Sequence, residues 1–498
     1  MKLTSSEPLA LPTPQNLKKR RNQNFLFLSP TLSYMSLEGG TDYHGRPHGT
    51  ATPNTSLKRE QPINYRDPTT LSVSSSSIVQ SQKQSQSQSQ VSSVSKPFLD
   101  QLPFIPNELI EEILSRLPVT SLLQLRCVCK SWKSLISDPY FIRKHLLSST
   151  QDTSLNHQRI MLSSTTAEFN LKSCAVCSLI DEPSIISEEL NYPVKNKFRH
   201  DGIVGSCNGL LCFAIKAERV LLWNPSIRVS KKSPSLDNNW RPGCYTAFGL
   251  GYDHISDDYK VVAVFCDPGE QHHISKTSAK VYSLATNSWR KIQDFPNGFT
   301  PYHDFGKFVS GTLNWPARCS FGSRSVNSTP DPLWVIVSFD LQKETYRQVL
   351  PPAYEKEVSS RPSLGVLGGC LSMSYDYKKT HFVVWIMKDH GVRESWVRLV
   401  TIPYLPNPED FSYSQPFCVS ENGQILLMFE FDLVLYDTRD KSFKYPRIEN
   451  GKGWFDAEVY IESLVSPLNS HANGFNVQVL PFSDLHVTEK AVSDKLLS

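Results

Sequence analysis

Residues Phe104–Leu146 read FIPNELIEEILSRLPVTSLLQLRCVCKSWKSLISDPYFIRKHL, and this stretch decides the first part of the fold. From Leu109 to Leu117, apolar residues recur at steps of one, three and four, which is the spacing of one face of an α-helix. Asn107 or Pro106 can open this first predicted helix, and Pro118 ends it. Glu108, Glu111 and Glu112 lie near the N-terminus of this helix, where the helix dipole is positive, and this also favours a helix here.

Two further helices are predicted in the same stretch. Thr120 or Ser121 can cap a second helix whose apolar residues continue to Ile136, and Asp138–Pro139 interrupts that pattern and begins a third. A unit of about 45 residues is too small to bury so much apolar surface within itself. We therefore expect one apolar face to dock on a partner, with packing against the rest of this chain as the alternative.

The stretch ends in RCVCKSWKSLISDP and closely resembles an F-box of the plant type. The resemblance implies docking to the Skp adaptor of a cullin-based ubiquitin ligase, with the cullin scaffold as a further partner. The family often has a basic or aromatic residue where Leu125 stands. Carried over by position, the implied adaptor-binding residues are Ile105, Pro106, Leu109, Ile113, Leu114, Leu117, Pro118, Leu122, Val128, Cys129 and Trp132.

Composition excludes several other classes of protein. The 498 residues carry a net charge of +4, which is close to balanced and gives no electrostatic reason to expect nucleic acid or a membrane as partner. The eleven cysteines have no regular spacing and no secretory signal precedes them, so they are predicted to be reduced and mostly buried. No apolar run approaches the length of a membrane span. The predicted location is cytoplasm, nucleus or both.

The chain divides into five predicted regions. Residues 1–98 form a disordered tail rich in Ser and Gln, because such polar sequence cannot bury enough surface to offset its ordering entropy. Its basic run Lys18–Arg21 is either a nuclear address or a solvated patch. The other regions are the F-box, a linker with first strands, a β domain and a C-terminal tail, at 99–147, 148–200, 201–467 and 468–498.

From about Ile203 to Pro467 the pattern changes to short runs such as LLCFAI, KVVAVF, HFVVWIM and ILLMFEFDLVLY, separated by turn residues. These runs predict an all-β region. One pattern recurs within this region. A strand ends on an apolar or aromatic residue, polar turn residues follow, and the next strand is re-entered seven positions after that residue. The four copies are Trp223–Ser230, Tyr282–Trp289, Phe339–Tyr346 and Tyr436–Phe443, and Trp385–Trp396 is a fifth with a longer turn.

The aromatic residues after these turns are spaced by 57, 50 and 47 positions between Trp289 and Phe443. A hairpin repeat of about 50 residues is typical of β-propeller blades. We therefore predict a propeller in which these aromatic residues fill the space between blades, with a β-sandwich of repeated hairpins as the alternative. The whole chain would then be an α+β multidomain protein: a small three-helix F-box followed by an all-β, propeller-like domain.

A second resemblance concerns this β region. The motifs GSCNGLLCF, LWNPSIRVSKKSP, FGLGYDHISDDYKVVAVF and VSGTLNWPA occur in the order found in the F-box-associated domain of plant F-box proteins. That domain is regarded as propeller-like and related to kelch repeats. Kelch blades carry paired glycines, and Gly368–Gly369 is the only such pair in this region. This departure leaves the number of blades open.

No catalytic motif is visible: GxSxG, the P-loop, HExxH and the dinucleotide fingerprint are all absent. We therefore predict a non-catalytic protein with no cofactor and no metal. The remaining reactive or conspicuous residues are interpreted as core cysteines, loop histidines, solvated turn aspartates and a glycine turn. They are Cys174 and Cys177, His272 and His273, Asp253, Asp257 and Asp258, and Gly365, Gly368 and Gly369.

The interpretation that fits both resemblances is a substrate-receptor subunit of a Skp–cullin–F-box ubiquitin ligase. The alternative is a partner-binding or sequestering adaptor that acts without ubiquitin transfer. Propellers bind partners through loops on one face, and long polar loops with aromatic or Arg residues are the candidates for substrate binding. These loops are Trp240–Tyr245, His272–Lys276, Tyr302–Phe305 and Phe321–Asn327.

Overall fold

The structure is a computed structural model that describes most of the chain from Ile105 to Leu468. The predicted N-terminal tail, the basic run Lys18–Arg21 and the C-terminal tail beyond Leu468 lie outside the described residues. The described ranges are 105–164, 169–182, 184–194, 201–216, 218–236, 243–267, 276–302, 305–319, 334–353, 362–404, 413–429, 431–449 and 456–468.

The F-box consists of four α-helices, where the sequence pattern predicted three. They are α1 (Asn107–Ser115), α2 (Val119–Leu125), α3 (Lys130–Ile136) and α4 (Pro139–Gln151). The single helix expected from Thr120 to Ile136 is therefore wrong, and α2 begins directly after Pro118. The break occurs because Cys129 adopts an extended backbone and its Sγ accepts a hydrogen bond from the backbone N–H of Trp132, which starts a new helix.

The Asp138–Pro139 start signal is confirmed by the structure. The Asp138 carboxylate accepts a hydrogen bond from the backbone N–H of Tyr140 at 2.8 Å, and Pro139 occupies the first turn of α4. We expect Asp138→Ala to lower the free energy of unfolding by about 1 kcal/mol, measured by urea denaturation, because one helix N–H loses its partner. Asp138→Asn preserves the acceptor, so equal losses in the two variants would contradict the capping role.

Beyond the F-box, the regular structure of the described chain is mainly β-strand, with one further short α-helix, α5 (Val176–Asp181), and one turn of 3₁₀ helix at Arg393–Ser395. The strands are β1 (Gln158–Ser164), β2 (Asn170–Ala175), β3 (Ser184–Ile185), β4 (Glu188–Leu190), β5 (Gly202–Cys207), β6 (Leu210–Ile215), β7 (Arg219–Asn224), β8 (Val229–Lys232), β9 (Tyr245–Asp253), β10 (Asp258–Asp267), β11 (Lys276–Ser283), β12 (Ser288–Lys291), β13 (Phe299–Pro301), β14 (Lys307–Val309), β15 (Thr312–Cys319), β16 (Trp334–Asp340), β17 (Thr345–Val349), β18 (Ser363–Leu367), β19 (Cys370–Tyr377), β20 (His381–Met387), β21 (Trp396–Pro403), β22 (Cys418–Val419), β23 (Gln424–Phe429), β24 (Asp432–Asp437), β25 (Phe443–Lys444), β26 (Arg447–Ile448) and β27 (Asp456–Ile461).

In the described ranges, all of these strands except β3 and β26 form the six blades of a β-propeller, and β3 and β26 pair as a separate two-stranded parallel sheet. Blades 2 to 6 each use consecutive strands, namely β5–β8, β9–β12, β13–β17, β18–β21 and β22–β25. Blade 1 has the order β27-β1-β2-β4, so the last strand of the chain completes the first blade. The pairing of β27 with β1 closes the ring, so each blade packs between two neighbours and only short sheet edges remain. Strands β1, β2 and β4 lie in the segment predicted as linker and first strands.

The predicted hairpin repeat is the outer pair of strands in each of five blades. The residues that begin and end the seven-residue step face each other across these strands, as in Tyr282 with Trp289 and Phe339 with Tyr346. In each short copy, the residue two positions before the end of the seven-residue step has positive φ, which reverses the chain tightly; these residues are Arg228, Asn287, Glu344 and Lys441. One predicted strand was wrong: ILLMFEFDLVLY is a hairpin made of β23 and β24.

Each hydrophobic cluster of the propeller lies between two neighbouring blades. The cluster between blades 3 and 4, for example, joins Val262 and Val281 to Trp315 and Val337, and Tyr346 packs against it. Trp289, Trp396 and Phe443 occupy the equivalent place between other pairs of blades. The prediction that the post-turn aromatic residues fill space between blades is thus confirmed, and each blade depends on its neighbours for its core.

Gly368–Gly369, the one kelch-like pair, is the turn between the first two strands of blade 5. Both glycines have positive φ, and Leu367 pairs with Cys370 across the turn. Blades 2 and 4 make the same turn with Asn208–Gly209 and Ser310–Gly311, also at positive φ. In those two blades the turn therefore needs only one glycine, where the kelch pattern has two. Asn208 and Ser310 take the place of the first glycine, because Asn tolerates the left-handed region of φ and Ser occupies it here.

Candidate adaptor-docking and substrate-facing surfaces

Helix α1 has one face in the F-box core and one in solvent. Leu114 is buried at 3% exposure and Ile110 packs beside it, whereas Leu109 and Ile113 are 55% and 56% exposed. Leu109 and Ile113 are four residues apart, so they lie one above the other on the same face of the helix. Lys144 of α4 binds Glu111 at 2.9 Å, which holds α1 against α4 and leaves its apolar outer face uncovered.

The predicted adaptor-binding residues separate into three groups by burial. Leu114 and Leu122 lie in the F-box core and expose almost no surface. Leu117 and Trp132 are half-buried against that core. The exposed group is Ile105, Pro106, Leu109, Ile113, Pro118, Val128 and Cys129.

The turn between α2 and α3 presents Val128 and Cys129 to solvent. Cys129 Sγ lies 3.1 Å from Ser131 Oγ and accepts from the Trp132 N–H at 3.5 Å. The Ser131 hydroxyl first, and then the Trp132 N–H, hold the pKa of the Cys129 thiol below its ordinary value. The thiol therefore caps the start of α3 and at the same time forms part of the exposed surface.

Beneath this surface, His145 ties α4 to the end of α1. Its ring is fully buried, and Nε2 donates to the Leu117 carbonyl at 2.9 Å. Burial lowers the pKa of His145, and the neighbouring His157 acts in the same direction, so the ring is neutral at pH 7. The backbone position of Leu117 is thus fixed by a core histidine, which the helical pattern had placed with Phe141 and Leu146 on the last predicted helix.

The structure assigns the remaining reactive residues to packing and turns. Cys174 lies in the cluster between blades 6 and 1, and burial raises the pKa of its thiol to about 12. No three His, Cys, Asp or Glu side chains among the described residues are placed to hold a metal ion. His272 and His273 lie outside the described residues.

The expectation of solvated turn aspartates was wrong for two of three residues. Asp253 is buried, accepts from the Ile255 N–H at 3.0 Å and pairs with Lys260 at 2.7 Å. Asp258 is also buried and accepts from the Ala285 N–H at 2.9 Å. Asp257 is half-buried and binds Arg143 of the F-box, a contact between distant parts of the chain that no local pattern indicates.

The two faces of the propeller differ in what they carry. Because adjacent strands are antiparallel, the turns after the first and third strands of every blade lie on one face, and the loops after the second and fourth lie on the other. We name these the turn face and the loop face. Ile227 and Asp257, which contact the F-box, lie in the β7–β8 and β9–β10 turns, so the F-box sits on the turn face.

Three of the four predicted substrate loops fall between strands whose described ends lie on the loop face, opposite the F-box. Trp240–Tyr245 joins β8 to β9, His272–Lys276 joins β10 to β11, and Phe321–Asn327 joins β15 to β16. Most of their residues lie outside the described ranges. The fourth, Tyr302–Phe305, separates β13 from β14 at the inner edge of blade 4.

Comparison with known families agrees with both parts of this architecture. The F-box domain matches residues 102–144, and the F-box associated beta propeller domain matches residues 158–467. The chain belongs to the family of F-box proteins with an F-box associated beta propeller domain. Among similar F-box proteins, an F-box/kelch-repeat protein of Arabidopsis thaliana is 35% identical over 370 residues, which is 73% of this chain and 96% of that protein.

A second F-box protein of Arabidopsis thaliana, F-box protein CPR1, is 28% identical over 383 residues, covering 72% of this chain and 88% of that protein. Among solved structures, an oligogalacturonate lyase in complex with manganese covers 60% of this chain and 76% of its own, at 8% identity and a TM-score of 0.36. That likeness is too weak to support any argument about function.

For this F-box protein, the domain content establishes a general role. An F-box joined to a propeller is the organisation of substrate receptors in Skp–cullin–F-box ligases, and an F-box supports binding to a Skp adaptor. F-box proteins typically serve as non-catalytic subunits of such complexes. In the part of the chain that the structure describes, no helix has the length and apolar character needed to cross a membrane.

Proposed function

We propose that this F-box protein docks a Skp adaptor through the exposed apolar face of α1 and recruits a protein substrate for ubiquitination through the loop face of its propeller. The observation that carries the first half is the concentration of exposed apolar side chains. Of the twelve large hydrophobic residues exposed in the described ranges, six lie within residues 105–147. Isolated exposed apolar residues are ordinary, but a cluster on one small domain favours a partner.

The proposed contact set follows from burial. Leu109, Ile113 and Val128 supply the apolar surface, with Ile105, Pro106, Pro118 and Cys129 beside them in sequence. Leu117 and Trp132 contribute what remains exposed of their side chains, and Leu114 and Leu122 act from the core by holding α1 and α2 in place. The set therefore divides into residues that contact the adaptor and residues that shape the surface.

The second half of the proposal is positional. Ubiquitin transfer by such a ligase takes place on a separate catalytic subunit, and a receptor increases the rate by holding the substrate near it at high effective concentration. The F-box occupies the turn face, so the loop face remains open to a substrate on the opposite side of the ring. We therefore assign substrate capture to the loop-face connections, and no residue of this chain to the chemical step.

Ile113→Asp tests adaptor docking most directly. It places a charge on a residue that is exposed in the free chain, so the fold should survive, but in the complex the carboxylate would be buried in apolar surroundings. We expect the dissociation constant for purified plant Skp adaptors, measured by calorimetry with the full chain, to increase by about 100-fold or more. Leu117→Asp is less informative, because Leu117 also packs on the F-box core.

The matched control is Ile186→Asp, the same substitution at an 83% exposed isoleucine of the propeller. It should leave adaptor affinity unchanged. Wild-type binding that Ile113→Asp does not weaken would contradict the assignment of α1 as the docking face. Failure of the wild type to bind any adaptor would contradict the ligase role and leave the sequestering adaptor as the better interpretation.

A further inference from the structure

The segment Glu462–Val465, which follows the last propeller strand, contributes to the core of the F-box. Leu464 is 5% exposed and belongs to the same hydrophobic cluster as Leu114, Leu122 and Phe141. An F-box of about 45 residues cannot bury its apolar surface alone, and part of the missing surface is supplied here by the far end of the chain. We name Glu462–Val465 the C-terminal clasp.

Blade 2 holds the backbone of this clasp in place. Asn224 is fully buried, and its Nδ2 donates to the carbonyl oxygens of Ser463 at 2.9 Å and Val465 at 2.8 Å. Ser463 Oγ donates to the Asn208 carbonyl at 2.9 Å. Buried polar groups satisfied in this way fix one arrangement, because any displacement would leave them without partners.

The clasp also joins blade 1 to the start of helix α2. The backbone N–H of Glu462 donates to the His157 carbonyl at 2.9 Å, and its carboxylate lies 3.4 Å from Arg159 Nη1. Val119, the first residue of α2, lies in the same hydrophobic cluster as Leu464, and its backbone N–H offsets part of the rise that burial causes in the pKa of the Glu462 carboxyl. One short segment therefore contacts two blades of the propeller and two parts of the F-box.

A second, separate contact prevents rotation about the clasp. Arg143 of α4 binds Asp257 in the β9–β10 turn of blade 3, and Asp257 also accepts from the Tyr252 hydroxyl. Ile227, in the β7–β8 turn of blade 2, also packs against the F-box core. A domain held at a single point can pivot, whereas attachment at several separated points fixes its orientation.

From these contacts we infer that the C-terminal clasp, together with Asn224 and the Arg143–Asp257 pair, holds the F-box in one orientation on the propeller. The adaptor-docking face of α1 therefore has a fixed orientation relative to the substrate-binding loop face. The inference rests on the proposed function. In a ligase whose contribution is positional, a fixed orientation determines which lysines come within reach of the catalytic subunit. The clasp residues are thus positioning residues for ubiquitin transfer, although they lie far from any substrate.

Gly209 offers a sharp test. It has φ +82°, and a Cβ added to it would lie 2.3 Å from Ser463 Oγ and 2.6 Å from the Ile461 carbonyl, so Gly209→Ala must displace the clasp. Gly311 occupies the corresponding turn of blade 4 with φ +73°, and a Cβ there meets nothing within 4 Å. Gly311→Ala therefore carries the same backbone strain without the collision and is the matched control.

The measurement is the distance between spin labels in the full chain. Labels are attached through non-natural amino acids at the exposed positions Lys133 and Lys291, so that native cysteines are not modified, and distances are measured by double electron–electron resonance. We expect one narrow distribution for the wild type and Gly311→Ala, and a broadened or shifted one for Gly209→Ala. Identical distributions in the two alanine variants, or a broad distribution in the wild type, would overturn the inference. Asn224→Ala serves as the second variant, with the same expectation, if Gly209→Ala does not fold.

A functional readout separates this inference from the ligase proposal. In a reconstituted ligase, the lysines of the receptor that receive ubiquitin are mapped by mass spectrometry. We expect Gly209→Ala to change the set of modified lysines relative to Gly311→Ala, and an unchanged set would argue against a positioning role. If the wild type receives no ubiquitin, the proposed ligase function fails, while the distance measurement still decides whether the clasp fixes the F-box.

Discussion

Trp315→Ala is expected to lower the free energy of unfolding by about 3–5 kcal/mol, measured by urea denaturation followed by circular dichroism. Trp315 is fully buried on β15, in the cluster between blades 3 and 4. Its ring lies so close to the backbone of Gly306 and Gly249 that a Cβ added to either would approach ring atoms to 2.5 Å and 2.9 Å. Alanine would leave a large cavity that a closed ring of blades cannot fill by collapsing.

Trp315→Phe is the control for this substitution. Trp315 Nε1 has no hydrogen-bond partner among the described residues, so phenylalanine removes a buried N–H that has no acceptor there and retains most of the apolar volume. We expect the loss for Phe to be less than half that for Ala. A loss below about 1 kcal/mol for Trp315→Ala would show that neighbouring side chains refill the site, and that blades 3 and 4 do not depend on this contact.

His390 is expected to make the stability of the propeller depend on pH by up to about 3 kcal/mol between pH 6.5 and pH 4. The residue lies in the long β20–β21 turn of blade 5, and its Nδ1 accepts from Arg347 Nη2 at 2.7 Å. Nε2 faces Asn314 Oδ1 at 3.3 Å. Burial first, and the nearby Arg347 guanidinium second, lower the pKa of His390 from 6.5 to about 4.

The sign follows from comparing the folded and unfolded chains. As the pH falls below 6.5, the unfolded chain binds a proton at this histidine that the folded chain does not bind until about pH 4. The stabilisation from neutral His390 is therefore complete above pH 6.5 and lost progressively as the pH falls to 4. Asp456 acts in the opposite sense, because burial and then the Glu458 carboxylate raise its pKa to about 7.

Because these two groups oppose each other, the experiment compares wild type with His390→Gln over a series of pH values. The free energy of unfolding of the wild type relative to His390→Gln should decrease by up to about 3 kcal/mol between pH 7 and pH 4. His254→Gln, at an exposed histidine in the β9–β10 turn, controls for the substitution itself. A difference that is constant over this range would show that His390 titrates alike in the folded and unfolded states.

Part of the F-box could be predicted because its start and stop signals act between neighbours in sequence. Pro118 ends the first helical segment, and Asp138–Pro139 starts the last helix, through steric exclusion and a cap hydrogen bond that span two or three residues. The break at Cys129 could not be predicted, since the apolar spacing continues across it. The sequence also did not show which apolar residues are exposed. Ile113 and Leu114 are adjacent, and only packing decides that Leu114 lies in the core and Ile113 on the surface.

The same division holds for the propeller. The five outer hairpins were recognisable because their turn residues and facing side chains, such as Tyr282 and Trp289, lie within one short segment. Blade 1 was not recognisable, because its first strand comes from Asp456–Ile461 and the remainder begins at Gln158. No local pattern records which distant strand completes a sheet, and the number of blades follows from that closure.

By itself, then, the sequence determined the two domains, the apolar and polar faces of their helices and hairpins, and the resemblance from which adaptor docking was inferred. All of these depend on residues that are close along the chain. Tertiary structure alone decided that Leu464 completes the F-box core, that Arg143 meets Asp257, and that the F-box lies on the turn face of the propeller. The physical reason is that such contacts form between segments far apart in sequence, where burial and hydrogen bonding select the partner only after the ring has closed.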